Sequence, residues 1–134
     1  MSLSSALLLA TVLAGAAGAM LRHLLDRWLS PRGILVANVL AALLLGASWP
    51  LLGTRPDVAV TLPVASVFVL ALGTFSTLAL QAVDAATGTS RSAGAGSGAR
   101  RAALARAARL WALHLGLGSA AFVGGFLAAA WLVR

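Results

Sequence analysis

Gly73-Thr74-Phe75-Ser76-Thr77 lies inside the hydrophobic run from Leu62 to Val83. Four of these five residues are small or carry hydroxyls. They stand in the middle of a membrane-length segment, where lipid supplies neither donors nor acceptors. The residues themselves leave two readings open: a kinked span lining a polar cavity, or small-residue packing between helices.

The rest of the chain makes the membrane the setting for either reading. Its 134 residues are 60% hydrophobic and 10% charged, and a mean hydropathy of +0.97 lies outside the range of ordinary soluble domains. A helix needs about 20 residues to cross a hydrocarbon core. Four runs reach that length, predicting one all-α transmembrane domain with spans over about 3–28, 33–52, 60–84 and 103–133. The absence of cysteine excludes disulfides, thiolate chemistry and cysteine metal sites.

The first run has small residues near Gly18 that imitate a signal-peptide cleavage site, but no basic segment precedes it, so a retained helix is expected. Gly15 and Gly18 would give that helix a smooth face for close approach. Trp28 reads as an interfacial residue and Ser30-Pro31-Arg32-Gly33 as a short turn, so the second helix should run antiparallel to the first. This second span ends at Trp49-Pro50, and its one strongly polar interior residue is Asn38. In the third, Pro63 stands near the start, the Gly73 stretch interrupts the middle, and Gln81 and Asp84 close the end. Residues 86–99 are rich in Gly, Ser and Ala and read as a flexible linker. In the fourth span, Gly116, Gly118, Ser119, Gly124 and Gly125 offer a packing face, and Trp111 and Trp131 mark the two interfaces.

The net charge of +7 comes from arginines beside the apolar runs, where they set topology and meet lipid headgroups rather than nucleic acid. Arg22, Arg27, Arg32, Arg91, Arg100, Arg101, Arg106 and Arg109 belong to the side of the 1–2 and 3–4 connections, and only Arg55 and Arg134 lie opposite. The positive-inside rule makes those connections cytoplasmic and leaves both termini outside, in a multi-pass protein of the cell membrane.

Four motifs in order, Gly15-Ala16-Ala17-Gly18-Ala19-Met20-Leu21-Arg22, Gly33-x4-Asn38, Thr74-Phe75-Ser76-Thr77 and the glycine-rich fourth helix, resemble the CrcB/Fluc family of fluoride channels over nearly the whole chain. The resemblance implies a passive fluoride exporter built as an antiparallel, dual-topology-type dimer. Two narrow pores would lie at the subunit interface, around a central structural sodium ion held by backbone carbonyls. By position it implies pore roles for Asn38, Phe75, Ser76 and Thr77, a first-helix vestibule role for Arg22, and backbone contact with sodium around Gly73 and Thr74. Ser119 is the one hydroxyl of the fourth span that could join the pore.

The chemistry of these residues suits the task independently. Fluoride is strongly hydrated, so a pore must replace water with closely placed donors, which hydroxyls and an amide NH2 provide without a trapping charge. Phenylalanine ring edges are partly positive and favour an anion that a ring face repels. A central cation offsets part of the cost of bringing anions into a low dielectric.

The chain departs from the family's usual third helix at Leu78, which stands where a second phenylalanine is common, and at Leu70, Ala71 and Gly73, which replace a glycine pair and a threonine. Helix 2 carries Ile34 and Ala41 where threonine and glycine are common. A homodimer would require one sequence to insert both ways, which the arginine bias opposes. A heterodimer with a homologous subunit of opposite bias is therefore expected, the partner supplying the missing pore positions.

The alternative function is a small multidrug-resistance-type proton-coupled cation exporter. That class relies on a membrane-embedded carboxylate, and the first helix has none. An enzyme is not expected, since no nucleophile with a base, metal cluster or phosphate loop is visible. His23 and His114 lack metal-ligand spacing and read as interface or packing residues, as do Phe68, Phe122 and Phe126.

Overall fold

The computed structural model describes residues 3–30, 32–54, 58–73, 79, 83 and 97–134. Its described elements are helices α1 (Leu3–Leu29), α2 (Gly33–Thr54), α3 (Val58–Leu72) and α4 (Ser97–Leu132). Three are long and apolar enough to cross a bilayer, over Ser4–Leu29, Gly33–Leu51 and Arg101–Leu132. Most of their large apolar side chains face outward: Leu8 is 72% exposed and Leu132 75% exposed. In water such surfaces would drive association, whereas in lipid they are the solvated surface. The exposed Trp28, Trp49 and Trp131 sit near helix ends, as interfacial residues should.

Helix boundaries follow local chemistry. Ser30–Arg32 closes α1 with the Arg32 N–H donating to the Leu29 carbonyl at 2.7 Å, and Gly33 then starts α2 hard against the backbone of Leu25 and Asp26. A side chain at Gly33 would collide with that backbone, so the tight antiparallel turn requires glycine there. α2 continues through Pro50 to Thr54, beyond the Trp49-Pro50 end expected from sequence. α4 begins at Ser97, inside the stretch read as linker, because the following run of Ala, Arg and Leu consists of the strongest helix formers.

Packing divides the helices into two parallel pairs. Gly15 and Gly18 of α1 lie against Val67, Phe68, Ala71 and Leu72 of α3, both sequences ascending together. On the other side, Gly46 of α2 meets the backbone of Phe122 and Gly125 of α4 meets the backbone of Leu43, while farther along Leu51 and Leu132 line one groove. α2 and α4 are thus parallel to each other and antiparallel to α1 and α3. This is the up-and-down order of four consecutive spans. Glycines at these contacts remove the side chains that would hold helix backbones apart, the means of association where no hydrophobic drive exists between helices.

The expected glycine face of α4 is only partly used among the described residues. Gly125 is packed, while Gly116, Gly118 and Gly124 have open space where a Cβ would be.

Between the pairs, Ala37, Ala41, Val69 and Leu72 form a small core, with Leu25 and Phe68 against it. Leu72, 1% exposed, is the largest side chain fully enclosed. It is the last residue of α3, a 15-residue helix about 22 Å long, short of the roughly 30 Å core. The chain bends at Gly73. Residues 74–78, where the helical break is expected, lie outside the described residues.

Candidate functional site

The end of α3 meets α2 at its polar position. A Cβ placed on Gly73 would stand 2.7 Å from the Ala41 Cβ and 3.7 Å from the Asn38 Oδ1. Ala41 is one residue from the midpoint of the Gly33–Leu51 span, so this meeting point is near mid-bilayer. The Asn38 carboxamide is half-buried and has no hydrogen-bond partner among the described residues. An unsatisfied amide at such depth is expensive unless a ligand, water or partner chain engages it.

α3 adds its own electrostatics at this point. The Gly73 N–H donates to the Val69 carbonyl at 2.9 Å, closing the last turn. The final carbonyls of a helix have no intrahelical donor and carry the negative end of its dipole. Gly73 therefore brings together an amide, backbone oxygens and a close contact with Ala41 that leaves no room for a side chain.

Other hydroxyls are accounted for differently. Thr11 Oγ1 donates to the Leu7 carbonyl at 2.8 Å and Ser48 Oγ to the Leu45 carbonyl at 2.7 Å, so both are engaged by their own helices. Ser119 makes no such bond among the described residues and is exposed on α4. It lies beside a groove of about 350 Å³ that is also lined by His114, Gly118 and Phe122. The Gly46–Phe122 and Gly125–Leu43 contacts bracket the register of the parallel α2 and α4, so Ser119 lies at a level between Ala37 and Leu43, in the middle part of the span.

Arg22 is half-buried on α1, one turn beyond the Gly18 contact with Leu72 and on the side where α2 begins. Thr74, Phe75, Ser76 and Thr77 lie outside the described residues, as do Gln81 and Asp84. Among the described residues no group of three or more His, Cys, Asp or Glu could hold a metal. A cation at the site would instead meet hard carbonyl oxygens, a donor set suited to an alkali ion rather than a transition metal.

His114 takes the packing place read for it from sequence. α4 shows a buried or half-buried stripe at Ala103, Ala107, Leu110, His114, Gly118, Ala121, Gly125 and Ala129, and of the described helices α4 packs chiefly on α2. His114 is on that seam, 8% exposed. The three-and-four spacing of small and apolar residues on α4 marks that position.

The chain matches neither a curated protein nor a solved structure. One family model does match, described as CrcB-like protein, Camphor Resistance, and it spans residues 9–126. That range takes in the glycine contacts of α1, the whole of α2, the end of α3 at Gly73 and all of α4 up to Phe126. Because the match covers most of the sequence, including every element that builds the mid-bilayer site, the chain belongs to the CrcB-like family of multi-pass membrane channel proteins.

Proposed function

We propose that this chain is a subunit of a fluoride-specific channel that passively exports cytoplasmic fluoride and so relieves its toxicity. The observation that carries the proposal is the juxtaposition of the unpartnered Asn38 carboxamide with the end of α3 at Gly73, near mid-bilayer, within the family match. The Asn38 NH2 replaces part of fluoride's hydration without adding a charge that would hold the ion. Ser76, Thr77 and Ser119 add hydroxyl donors along the path. Phe75 contributes its ring edge, and Arg22 draws anions toward the mouth.

A sodium ion belongs at the end of α3, held by backbone oxygens around Gly73 and Thr74. Carbonyl oxygen is the ligand such an ion prefers, and the helix C-terminus supplies the sign of potential that holds it. When bound, the ion lowers the cost of placing anions in the membrane interior.

The functional unit is an antiparallel dimer in the lipid bilayer. α4 covers α2 and leaves the exposed Gly116 and Gly124 open, positions where another helix can approach closely. The arginine bias places the 1–2 and 3–4 connections in the cytoplasm and both termini outside. The second subunit then requires the opposite bias, which makes a heterodimer the fitting assembly and Leu78 a position its partner complements.

Fluoride efflux from liposomes, followed with a fluoride electrode, tests the proposal for the chain alone and with a homologous subunit of opposite charge bias. Chloride-excluding efflux from the mixture only supports the heterodimer. Robust efflux from the chain alone overturns the heterodimer and keeps the channel, and silence in both overturns the channel.

A further inference from the structure

Setting topology requires only that arginines lie on one side of the membrane, but those of α4 also share one face. α4 has 36 residues and is about 54 Å long, against a hydrocarbon core of roughly 30 Å. The Gly46–Phe122 and Gly125–Leu43 contacts put Gly33, the first residue of α2, at a level between Arg109 and Leu115 of the parallel α4. Gly33 also lies against Leu25 and Asp26, so α1 ends near that level. The stretch from Ser97 to Ala108, about 18 Å of helix, therefore stands beyond the start of α2, in the headgroup layer and above it. Trp111 then falls where an interfacial anchor belongs.

One side of this extension is packed: Ala103 is 1% exposed and Ala107 is half-buried. The other side is basic. At 3.6 residues per turn, Arg101, Arg109 and Arg106 span an arc of about 140° whose centre is on the far side of the helix from Ala103 and Ala107. All three are exposed and make no hydrogen bond or ion pair among the described residues. The exposed Ala102, Ala105 and Ala108 fill the spaces around them, and Leu104, 56% exposed, lies beside the arc. α4 contains no acidic residue, and among the described residues the one side-chain carboxylate is that of Asp26 on α1. A face of arginine, alanine and leucine complements a surface that is anionic at its edge and apolar beneath.

We infer that this face of α4 docks anionic phospholipid of the cytoplasmic leaflet. Arg109 and Arg106 rise about 1.5 Å and 6 Å above Leu110, within a headgroup layer of roughly 5–7 Å per leaflet. Their guanidinium forks pair with two phosphodiester oxygens at once. Arg101 stands higher and reaches down along its apolar stem to the same headgroups. Three unpaired guanidiniums within about 12 Å of helix repel one another, and phosphates relieve that repulsion. A soluble phosphate would meet the same forks but leave Leu104 and the alanines in water, whereas a lipid covers both. The site depends on the placement of α4 in the membrane and not on the ion that the channel passes.

The test reads lipid binding to the full chain, purified in neutral detergent, by native mass spectrometry with equal amounts of phosphatidylglycerol and phosphatidylcholine. Arginines near a headgroup each favour the anionic lipid, so phosphatidylglycerol should be retained at least about tenfold over phosphatidylcholine. Arg101→Gln, Arg106→Gln and Arg109→Gln together should abolish that preference, and Arg101→Lys, Arg106→Lys and Arg109→Lys together should keep most of it. Arg27→Gln, Arg32→Gln and Arg134→Gln remove the same charge from exposed arginines elsewhere and should leave the preference intact. If the first triple variant fails to fold, Arg106→Gln and Arg109→Gln singly should each lower the preference severalfold. An equal loss in both glutamine triples overturns the inference, because net charge rather than this face would then hold the lipid. A preference that survives loss of the α4 arginines overturns it as well. Displacement by glycerol phosphate at the concentration of the lipid does the same, revealing a site for soluble anions. Fluoride flux does not enter, so failure here leaves the proposed channel function standing.

Discussion

Replacing Asn38 by leucine separates a pore role from a packing role more cleanly than any other single change in the chain. The carboxamide has no hydrogen-bond partner among the described residues, so no protein donor or acceptor loses its mate. Leucine is close in volume, and the neighbouring Ala37 and Ala41 are apolar. The thermal midpoint in detergent should therefore stay the same or rise slightly, because a half-buried polar group is exchanged for an apolar one. Transport should respond very differently. Donation from a neutral amide to an anion is a charge-assisted hydrogen bond, worth about 1.5–3 kcal/mol. At 1.36 kcal/mol per tenfold in rate, its loss from the passing ion slows fluoride flux about 10- to 150-fold.

The assay is electrode-monitored efflux from liposomes at matched protein density, with the fraction of vesicles containing active protein scored separately. Asn38→Asp sharpens it, since a carboxylate of the same shape presents only acceptors and a negative charge, and should slow fluoride at least as much. Flux within about threefold of the wild type for Asn38→Leu, at unchanged stability, would refute the donor argument. Asn38 would then be a polar residue awaiting the partner helix.

Three further outcomes follow from the packing. Gly73→Ala places a Cβ 2.7 Å from the Ala41 Cβ, an overpacking that costs about 1–3 kcal/mol. Ala41→Gly in the same chain should recover most of that in a denaturation series, whereas Ala37→Gly should not. Gly125→Val drives a branched side chain into the Leu43 backbone and should part α2 from α4. A cysteine pair engineered across Ala47 and Ala128, both lining the groove between the helices, would then lose its cross-linking efficiency. For topology, reporters fused at the ends of the chain should map to one side only; neutralising Arg101, Arg106 and Arg109 together should broaden the distribution to both sides.

Much of the fold was legible because bilayer thickness does the selecting. Runs of about 20 apolar residues have few alternatives to a spanning helix, and Gly15 and Gly18 did mark a face of close approach. What the sequence left open is which glycines face inward. Gly116, Gly118, Gly124 and Gly125 look equivalent as letters, yet among the described residues only Gly125 of these meets a backbone. Two things separate them: Gly116 and Gly124 are exposed, off the stripe that faces α2, while Gly118 is on that stripe but away from the crossing where α2 approaches closely. Pro50 is the opposite case. Proline commonly ends a helix, but α2 continues to Thr54, a continuation that membrane helices tolerate.

The candidate site was legible in its chemistry and hidden in its register. Asn38 and the Gly73 stretch stood out because polar groups are rare in apolar spans, but nothing in their separate positions required them to meet. That meeting follows from three contacts. The Gly33 turn starts α2 against Leu25, Gly18 sets α1 on Leu72, and the Leu72 core seats the end of α3 on Ala37 and Ala41. Each contact leaves no space for a side chain at its glycine or uses alanine in place of a larger residue. Moving α3 by one helical turn, about 5.4 Å, would carry Gly73 away from Asn38 and strand both polar groups in lipid. Small residues on α1 and α2 thus act at a distance from the ion path by fixing the level at which α3 ends. Substitutions at Gly18 should accordingly impair fluoride flux more than their own distance from Asn38 suggests, and through position rather than through chemistry.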